Sequence, residues 1–373
     1  MCMASGRSLL EKLLAEADVW VNGRRPWDIQ VHDERFFPAV LHRGVLAFGE
    51  SYMAGWWDTE SLDELAGHLT AHHLANRVRM TPANFLLALH ALVGNLGAKR
   101  RAFRVGEQHY NIGNDLFERM LDRRMTYSCG YWLDATTLDA AQEAKLDLVC
   151  RKLGLRAGQR VLDLGCGWGS FAKFAAERYG VSVVGVTVSQ EQMRWASEHC
   201  AGLPIEIRLE DYRDVEGQFD HIVSIGMFEH VGYKNYGTYM KVVQRCLKDE
   251  GLFLLHTLGR NTSASHTNPW IHKYIFPNGM LPSIAQIGKA LEGRFVMEDW
   301  HNFGAYYDNT LMAWFGNFDL HWPEIAAKYG STFYRMWKYY LLSCAGALRA
   351  REAQLWQIAL SKHGVAGGYQ TVR

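Results

Sequence analysis

No stretch of the chain approaches the eighteen or so consecutive apolar residues that a membrane-spanning helix needs, so the sequence predicts a protein that is soluble or held at a membrane from outside. The opening MCMASGRSLLEKLLAEADVW has no charged segment followed by an apolar one, and does not read as a secretory signal. Excess charge is missing too. Forty basic residues against 39 acidic ones give a net charge of +1, which leaves no global field to attract nucleic acid. There is no arginine-rich tail, low-complexity tract or internal repeat. The seven cysteines, at 2, 129, 150, 166, 200, 246 and 344, include no C-x-x-C pair and read as reduced thiols of a cytosolic protein. No His/Cys/Asp cluster has the spacing of a metal site, so no catalytic metal is expected.

Apolar residues are plentiful, at 48%, and aromatics reach 13% with 13 tryptophans. That much aromatic surface suggests a large apolar cavity or interface beside an ordinary core. With 373 residues there is room for two domains. Residues 1 to about 100 read as a small, mainly helical domain, with apolar spacing of three and four in SLLEKLLAEADVW, SLDELAGHLTAHH and ANFLLALHALVGNLGAKRR. From Gln159 the pattern changes. RVLDLG, VSVVGV, IEIRL, FDHIVSIG and GLFLLHTL are strand-like, and SFAKFAAERYG, SQEQMRWASEHC and YGTYMKVVQRCLK between them are helical. Such alternation predicts an α/β fold: a mostly parallel sheet with helices on both faces. Ser189 and Gln192 suggest a capping box. Further strands are expected within 294–312, and a long helical tail over roughly 332–361.

VLDLGCGWGS follows a strand and opens a helix, so Gly165, Gly167 and Gly169 form a G-x-G-x-G loop that lets a ligand approach the main chain. A dinucleotide fingerprint needs G-x-G-x-x-G and an acidic residue about 20 positions on. Here the third glycine comes early and the second strand ends in Gly185-Val-Thr187. Asp163, at the strand end, can hold an ammonium group. Together these favour S-adenosylmethionine over a nicotinamide cofactor. Glu229, after the fourth strand, and His256, at the end of the fifth, should meet at the ligand crevice, which lies beyond the carboxyl ends of such strands.

The motifs LDLGCGWGS, VGVTVSQEQ, MFEHVG, LLHTLG, QHYNIGNDLFERML, MTYSCGYW and NPWIHKYIFPNG resemble, in order and spacing, the cyclopropane fatty acid synthase family. The similarity runs from FGESYMAGWW to LRAREAQLWQ, nearly the whole chain. It implies a Rossmann-like methyltransferase fold. The catalytic domain would span 101–373, with an inserted acyl-pocket segment at about 260–330. The N-terminal domain would dock on lipid. It also implies that Tyr127 and Ser128 fold over the cofactor, that Thr187 and Gln192 serve its ribose, and that Asp211 and Tyr212 meet its adenine. The reaction implied is transfer of a methylene group to the cis double bond of unsaturated phospholipid acyl chains. An alkene is a poor nucleophile and its methylation leaves a carbocation, so the site must exclude water and offer aromatic faces. A base must then take a proton. The resemblance assigns that task to bicarbonate, held by Tyr307 and the backbone amides of Cys129 and Leu258, with Glu229 and His256 orienting and polarising it. It also makes Cys344 notable, as a lining of the acyl channel more than as a nucleophile, since nothing near it in sequence lowers its pKa. His230 and His266 read as structural or loop residues.

A membrane-bound substrate requires docking. The helix ending in Lys99, Arg100, Arg101 and Arg104 has an apolar face and a basic end, suited to anionic headgroups. The expectation is therefore a cytoplasmic protein peripheral to the inner face of the membrane. The resemblance adds a homodimer. The rival readings are a C-, N- or O-methyltransferase without ring closure, acting on another lipid or small molecule, and a non-catalytic lipid binder. The intact glycine loop, Glu229 and His256 oppose the second.

Overall fold

The computed structural model describes residues 2–74, 112–264 and 267–373. It divides into two compact units: Met1–Gly94 with Ser265–Pro277 and Tyr307–Ala353, and Asn95–Ala264 with Asn278–Tyr306 and Gln354–Arg373. The units interleave along the chain. A single boundary near residue 100, with one insertion over about 260–330, therefore does not describe them. The basic run at 99–104 and His266 lie outside the described residues.

The first unit contains α1 (Cys2–Glu16), a two-strand pair β1 (Gln30–Val31) and β2 (Trp57–Asp58), α2 (Phe36–Met53) and α3 (Leu62–Ala71). The helix expected through Trp20 stops at Glu16, and Asp18 turns the chain with φ of 56°. The core joins Leu10, Leu14, Phe36, Phe37, Trp57 and Leu65 to Leu342. Met312, Phe315 and Tyr339 pack against it, which is why residues 307–353 belong to this unit despite their distance in sequence.

The second unit contains α4 (Asn114–Met120), α5 (Leu138–Leu153) and a seven-stranded sheet. Its strands are β3 (Arg160–Leu164), β4 (Ser182–Thr187), β5 (Ile205–Leu209), β6 (Phe219–Ile225), β7 (Leu247–Gly259), β8 (Val296–Asn302) and β9 (Gln354–Ser361). They lie in the order β5-β4-β3-β6-β7-β9-β8. Pairings from β5 through β7 are parallel, and β9 runs antiparallel to both β7 and β8. The strands expected from Gln159 to Thr257 are all present. Between them lie α6 (Ser170–Tyr179), α7 (Gln190–His199) and α8 (Tyr236–Cys246). Strand order reverses beside β3, which places the ligand crevice at the carboxyl ends of β3, β4 and β6.

Two expectations fail here. Only 296–302 of the segment 294–312 is strand, because Leu311, Trp314 and Phe318 are buried at helical spacing in α11 (Tyr306–Arg349), which breaks at Gly330. Two short helices, α9 (Pro269–Tyr274) and α10 (Ile284–Leu291), precede it. The long tail is not helical to 361. The helix ends at Arg349, and Gln354–Ser361 inserts as β9 with every residue buried. A strand covered on both faces shows no alternation, so its sequence does not distinguish it from a buried helix.

Candidate active site

Gly165, Gly167 and Gly169 adopt φ of 84°, 54° and 80°, a region that side-chain-bearing residues rarely enter. A Cβ on Gly165 would also stand 2.6 Å from the Met227 side chain. Asp163, at the end of β3, is 2% exposed, and burial raises its pKa to about 7 against the opposing charge of Lys145. At the end of β4, Thr187 Oγ1 donates to Gln192 Oε1 at 2.9 Å, and Ser189 Oγ accepts from the Gln192 amide. The cap on α7 is therefore one-sided. The Gln192 side chain is committed to Thr187 instead of returning to the cap, so the expected reciprocal box is absent. Its Nε2 lies 4.0 Å from where a Gly167 Cβ would stand, against the glycine loop. A buried carboxylate, bare backbone and a nearby amide suit the ammonium, carboxylate and ribose of S-adenosylmethionine.

Asp211 and Tyr212 fit the adenine less simply. Asp211 already accepts from the Arg213 amide and guanidinium, at 3.0 and 2.9 Å. Tyr212 is 5% exposed, packs on Tyr239 at 5.1 Å and lies under the Arg213 guanidinium. The ring proposed as an adenine platform is committed to the core, because its residue starts a short turn that points it back against α8.

The segment 122–130 is held in place from several sides. Asp122 accepts from the amides of Arg124 and Thr126 and from Thr126 Oγ1. Met125 takes a left-handed φ of 58°. Gln142 Nε2 donates to Ser128 O at 2.7 Å, and Lys145 Nζ donates to Ser128 Oγ at 2.8 Å. Tyr127 meets Phe117 edge-on at 5.2 Å, and Phe117 packs on Trp168 of the glycine loop at 4.8 Å. The two expected cofactor loops are thus joined through one buried phenyl ring. Cys129 is fully buried, and its Sγ donates to Gly130 O. Sequence reading missed Gln142 and Lys145. Both lie on α5, where a lysine looks solvent-facing until the fold buries it.

Glu229 lies in a short turn after β6 and His256 near the end of β7; they are 8% and 1% exposed. Glu229 Oε1 accepts from the Leu258 amide at 2.7 Å. That amide, expected to hold an anion directly, is instead spent orienting the carboxylate. Burial raises the Glu229 pKa to about 7. His256 is held well below its ordinary value by burial and by the charges of Lys145 and Lys152, so it is neutral. Gln357 Nε2, on β9, faces His256 Nδ1 at 3.3 Å. A donor there leaves the ring proton on Nε2. Glu229 Oε2 and His256 Nε2 are both buried with no hydrogen-bond partner among the described residues. Buried polar atoms rarely remain so, which leaves each of the two available to a small polar ligand. Gln357 was not anticipated, because the tail was read as helix. His230 is driven down to about 4 by burial and reads as neutral and structural.

Tyr307 opens α11 in the other unit, edge-on to Trp314 at 6.0 Å. Cys344 lies in the same unit, and burial lifts its thiol to about 12, against any nucleophilic role at neutral pH. All six cysteines with described side chains are free thiols, and no His/Cys/Asp/Glu group among the described residues could hold a metal.

Residues 97–358 match the family model described as mycolic acid cyclopropane synthetase. The chain belongs to the cyclopropane synthase family. It is 53% identical to the cyclopropane-fatty-acyl-phospholipid synthase of Escherichia coli K12, over 98% of this chain and 95% of that protein. It is 34% identical to the tuberculostearic acid methyltransferase UfaA1 of Mycobacterium tuberculosis, over 87% of this chain and 81% of that one. The solved cyclopropane synthase MmaA2 of M. tuberculosis superposes with TM-score 0.66 and 30% identity, covering 70% of this chain and 98% of its own. The mycolic acid cyclopropane synthase CmaA1, solved with SAH and CTAB, gives 0.65 and 33%, covering 70% and 98%. The family's enzymes are S-adenosylmethionine-dependent methyltransferases, and this chain is one of them. Its mostly parallel sheet is the one that the strand–helix alternation predicted, and it is shared with the solved cyclopropane synthases. Among the described residues, no helix is long and apolar enough to cross a membrane.

Proposed function

We propose that this synthase adds a methylene group to the cis double bond of unsaturated acyl chains in membrane phospholipids, closing a cyclopropane ring, with bicarbonate as proton acceptor. The observation that carries the reading is the pair of buried, unpartnered atoms Glu229 Oε2 and His256 Nε2. Methyl transfer to nitrogen or oxygen also releases a proton, so it is the match to a cyclopropane-fatty-acyl-phospholipid synthase over nearly the whole chain that favours ring closure on this pair.

Asp163, the glycine loop, Thr187 and Gln192 hold the cofactor on this reading, and the 126–129 loop closes over it. When bound, S-adenosylmethionine supplies an electrophilic methyl group. The methylated acyl chain is a cation and must shed one proton before the ring closes. Glu229 would orient bicarbonate through Oε2, and neutral His256 would donate to it from Nε2–H, leaving bicarbonate to supply the base. The Cys129 amide would join them, and Tyr307, which the family resemblance adds to the cradle, belongs to the other unit. Leu258 acts one step back, by fixing Glu229. Burial of Glu229, His256 and Cys129 keeps water from the cation.

The substrate class is supported by the activity of the Escherichia coli relative, a cyclopropane-fatty-acyl-phospholipid synthase, that matches nearly the whole chain. Docking would use the basic cluster Lys99, Arg100, Arg101 and Arg104 at the inner face of the membrane, from the cytoplasm, with a homodimer supplying two such faces. The test is to incubate the protein with unsaturated phospholipid vesicles, S-adenosylmethionine and bicarbonate, then weigh the acyl chains. A gain of one CH₂ with loss of the alkene is expected. A gain with the alkene retained would point to plain methylation. Full turnover in bicarbonate-depleted buffer would remove the anion from the scheme.

A further inference from the structure

We infer that Lys145 is a positioning residue for both sides of the cofactor crevice: its ammonium group anchors the closing loop through Ser128 and stands as the counter-charge to the buried Asp163. The inference rests on the cofactor reading above and deepens it.

Lys145 is wholly buried on α5. Burying an ammonium group is expensive, and an apolar side chain of similar volume would stabilise a helix face better. Its surroundings explain its presence. Nζ donates to Ser128 Oγ at 2.8 Å, while Gln142, one turn earlier, donates to Ser128 O at 2.7 Å. One residue of the loop is therefore held by both its backbone and its side chain. The titratable groups facing Lys145 are Asp122, Cys129 and Asp163, and its charge also acts on His256. Asp163 in turn acts on Lys145, Cys166, Cys200 and Tyr239, and among the described residues only Lys145 opposes the burial of its charge. Without that cation, the carboxylate proposed to receive the cofactor's ammonium group would be protonated at neutral pH. Lys145 itself is pushed down to about 8 by burial, so both groups are charged just above neutrality.

The test measures S-adenosylhomocysteine binding to the full chain by calorimetry from pH 6 to 9. In the unsubstituted protein, affinity should rise as pH passes about 7 and Asp163 ionises. Lys145→Met should move that midpoint up by about one pH unit or more, which is about fivefold weaker binding or more at pH 7. Lys145→Gln, which keeps a donor for Ser128 without charge, should move it as far and serves where the Met variant does not fold. Ser128→Ala should weaken binding without moving the midpoint. On an Asp163→Asn background, removal of Lys145 should change no pH dependence. An unmoved midpoint in Lys145→Gln would overturn the role of Lys145 alone. An unsubstituted protein that binds no S-adenosylhomocysteine at any pH would overturn the cofactor reading itself.

Discussion

Glu229→Gln should make the protein less active and, above neutral pH, more stable. Burial raises the Glu229 carboxyl from its ordinary 4.5 to about 7. In the unfolded chain the same group ionises near 4.5, so between these values the folded state holds a proton that the unfolded state has released. Stability therefore falls as pH rises through that window. It is fully present below about 4.5 and fully lost above about 7. The difference is worth about 3 kcal/mol at 1.36 kcal/mol per pKa unit. Glutamine has the same shape, keeps an acceptor for the Leu258 amide and carries no titrating charge. The variant should thus escape the loss. Urea unfolding followed by tryptophan fluorescence, at pH 5 and pH 8, should show the gap between variant and parent moving by about 3 kcal/mol in the variant's favour. Turnover on unsaturated phospholipid should fall by orders of magnitude while S-adenosylhomocysteine binding stays within a few fold. A stability gap that does not change with pH would refute the raised carboxyl. A variant with normal turnover would refute its place in the cradle. On the proposed reading, Glu229 serves the reaction at a cost in stability, as buried ionisable groups at reacting centres commonly do.

Gln357→Leu removes the donor that fixes the His256 tautomer and should lower turnover about tenfold or more with unchanged S-adenosylhomocysteine affinity; equal loss of both would indicate a collapsed strand β9. Cys129→Ser should be mild, within a few fold in turnover, because the proposed donor is the main-chain N–H; complete inactivity would restore a thiol mechanism. Gly165→Ala places a methyl against Met227 in a left-handed backbone and should abolish cofactor binding or destabilise the chain by 1–3 kcal/mol or more, read by calorimetry and thermal unfolding. Reversing the charge at Lys99, Arg100, Arg101 and Arg104 should abolish sedimentation with anionic vesicles while leaving neutral vesicles unaffected; unchanged sedimentation would sink that docking site.

Much of the catalytic unit was legible because its chemistry is local. β3 to β7 are buried parallel strands, which read as apolar runs, and the helices between them carry their own periodicity. G-x-G-x-G announces a left-handed turn, since only glycine occupies three such positions cheaply. Asp163, Glu229 and His256 were recognisable as strand-end residues, and the sheet places all three at carboxyl ends, as expected. Tyr212 was less legible, because an aromatic after a strand can face a ligand or the core, and here it packs on Tyr239.

By itself, then, the sequence determined the element types from Gln159 to Thr257, the phosphate-free glycine loop and the family to which the chain belongs. Tertiary structure decided the rest. It placed Gln354–Ser361 between β7 and β8, which brought Gln357 to His256 across 101 positions of chain. It buried Lys145, which no motif had singled out, beside Ser128. It turned the Leu258 amide from an anion donor into the orienter of Glu229. The reason is common to all three. Propensity and periodicity are set by neighbours within a few residues, whereas burial, charge state and hydrogen-bond partner are set by residues that only the fold brings near.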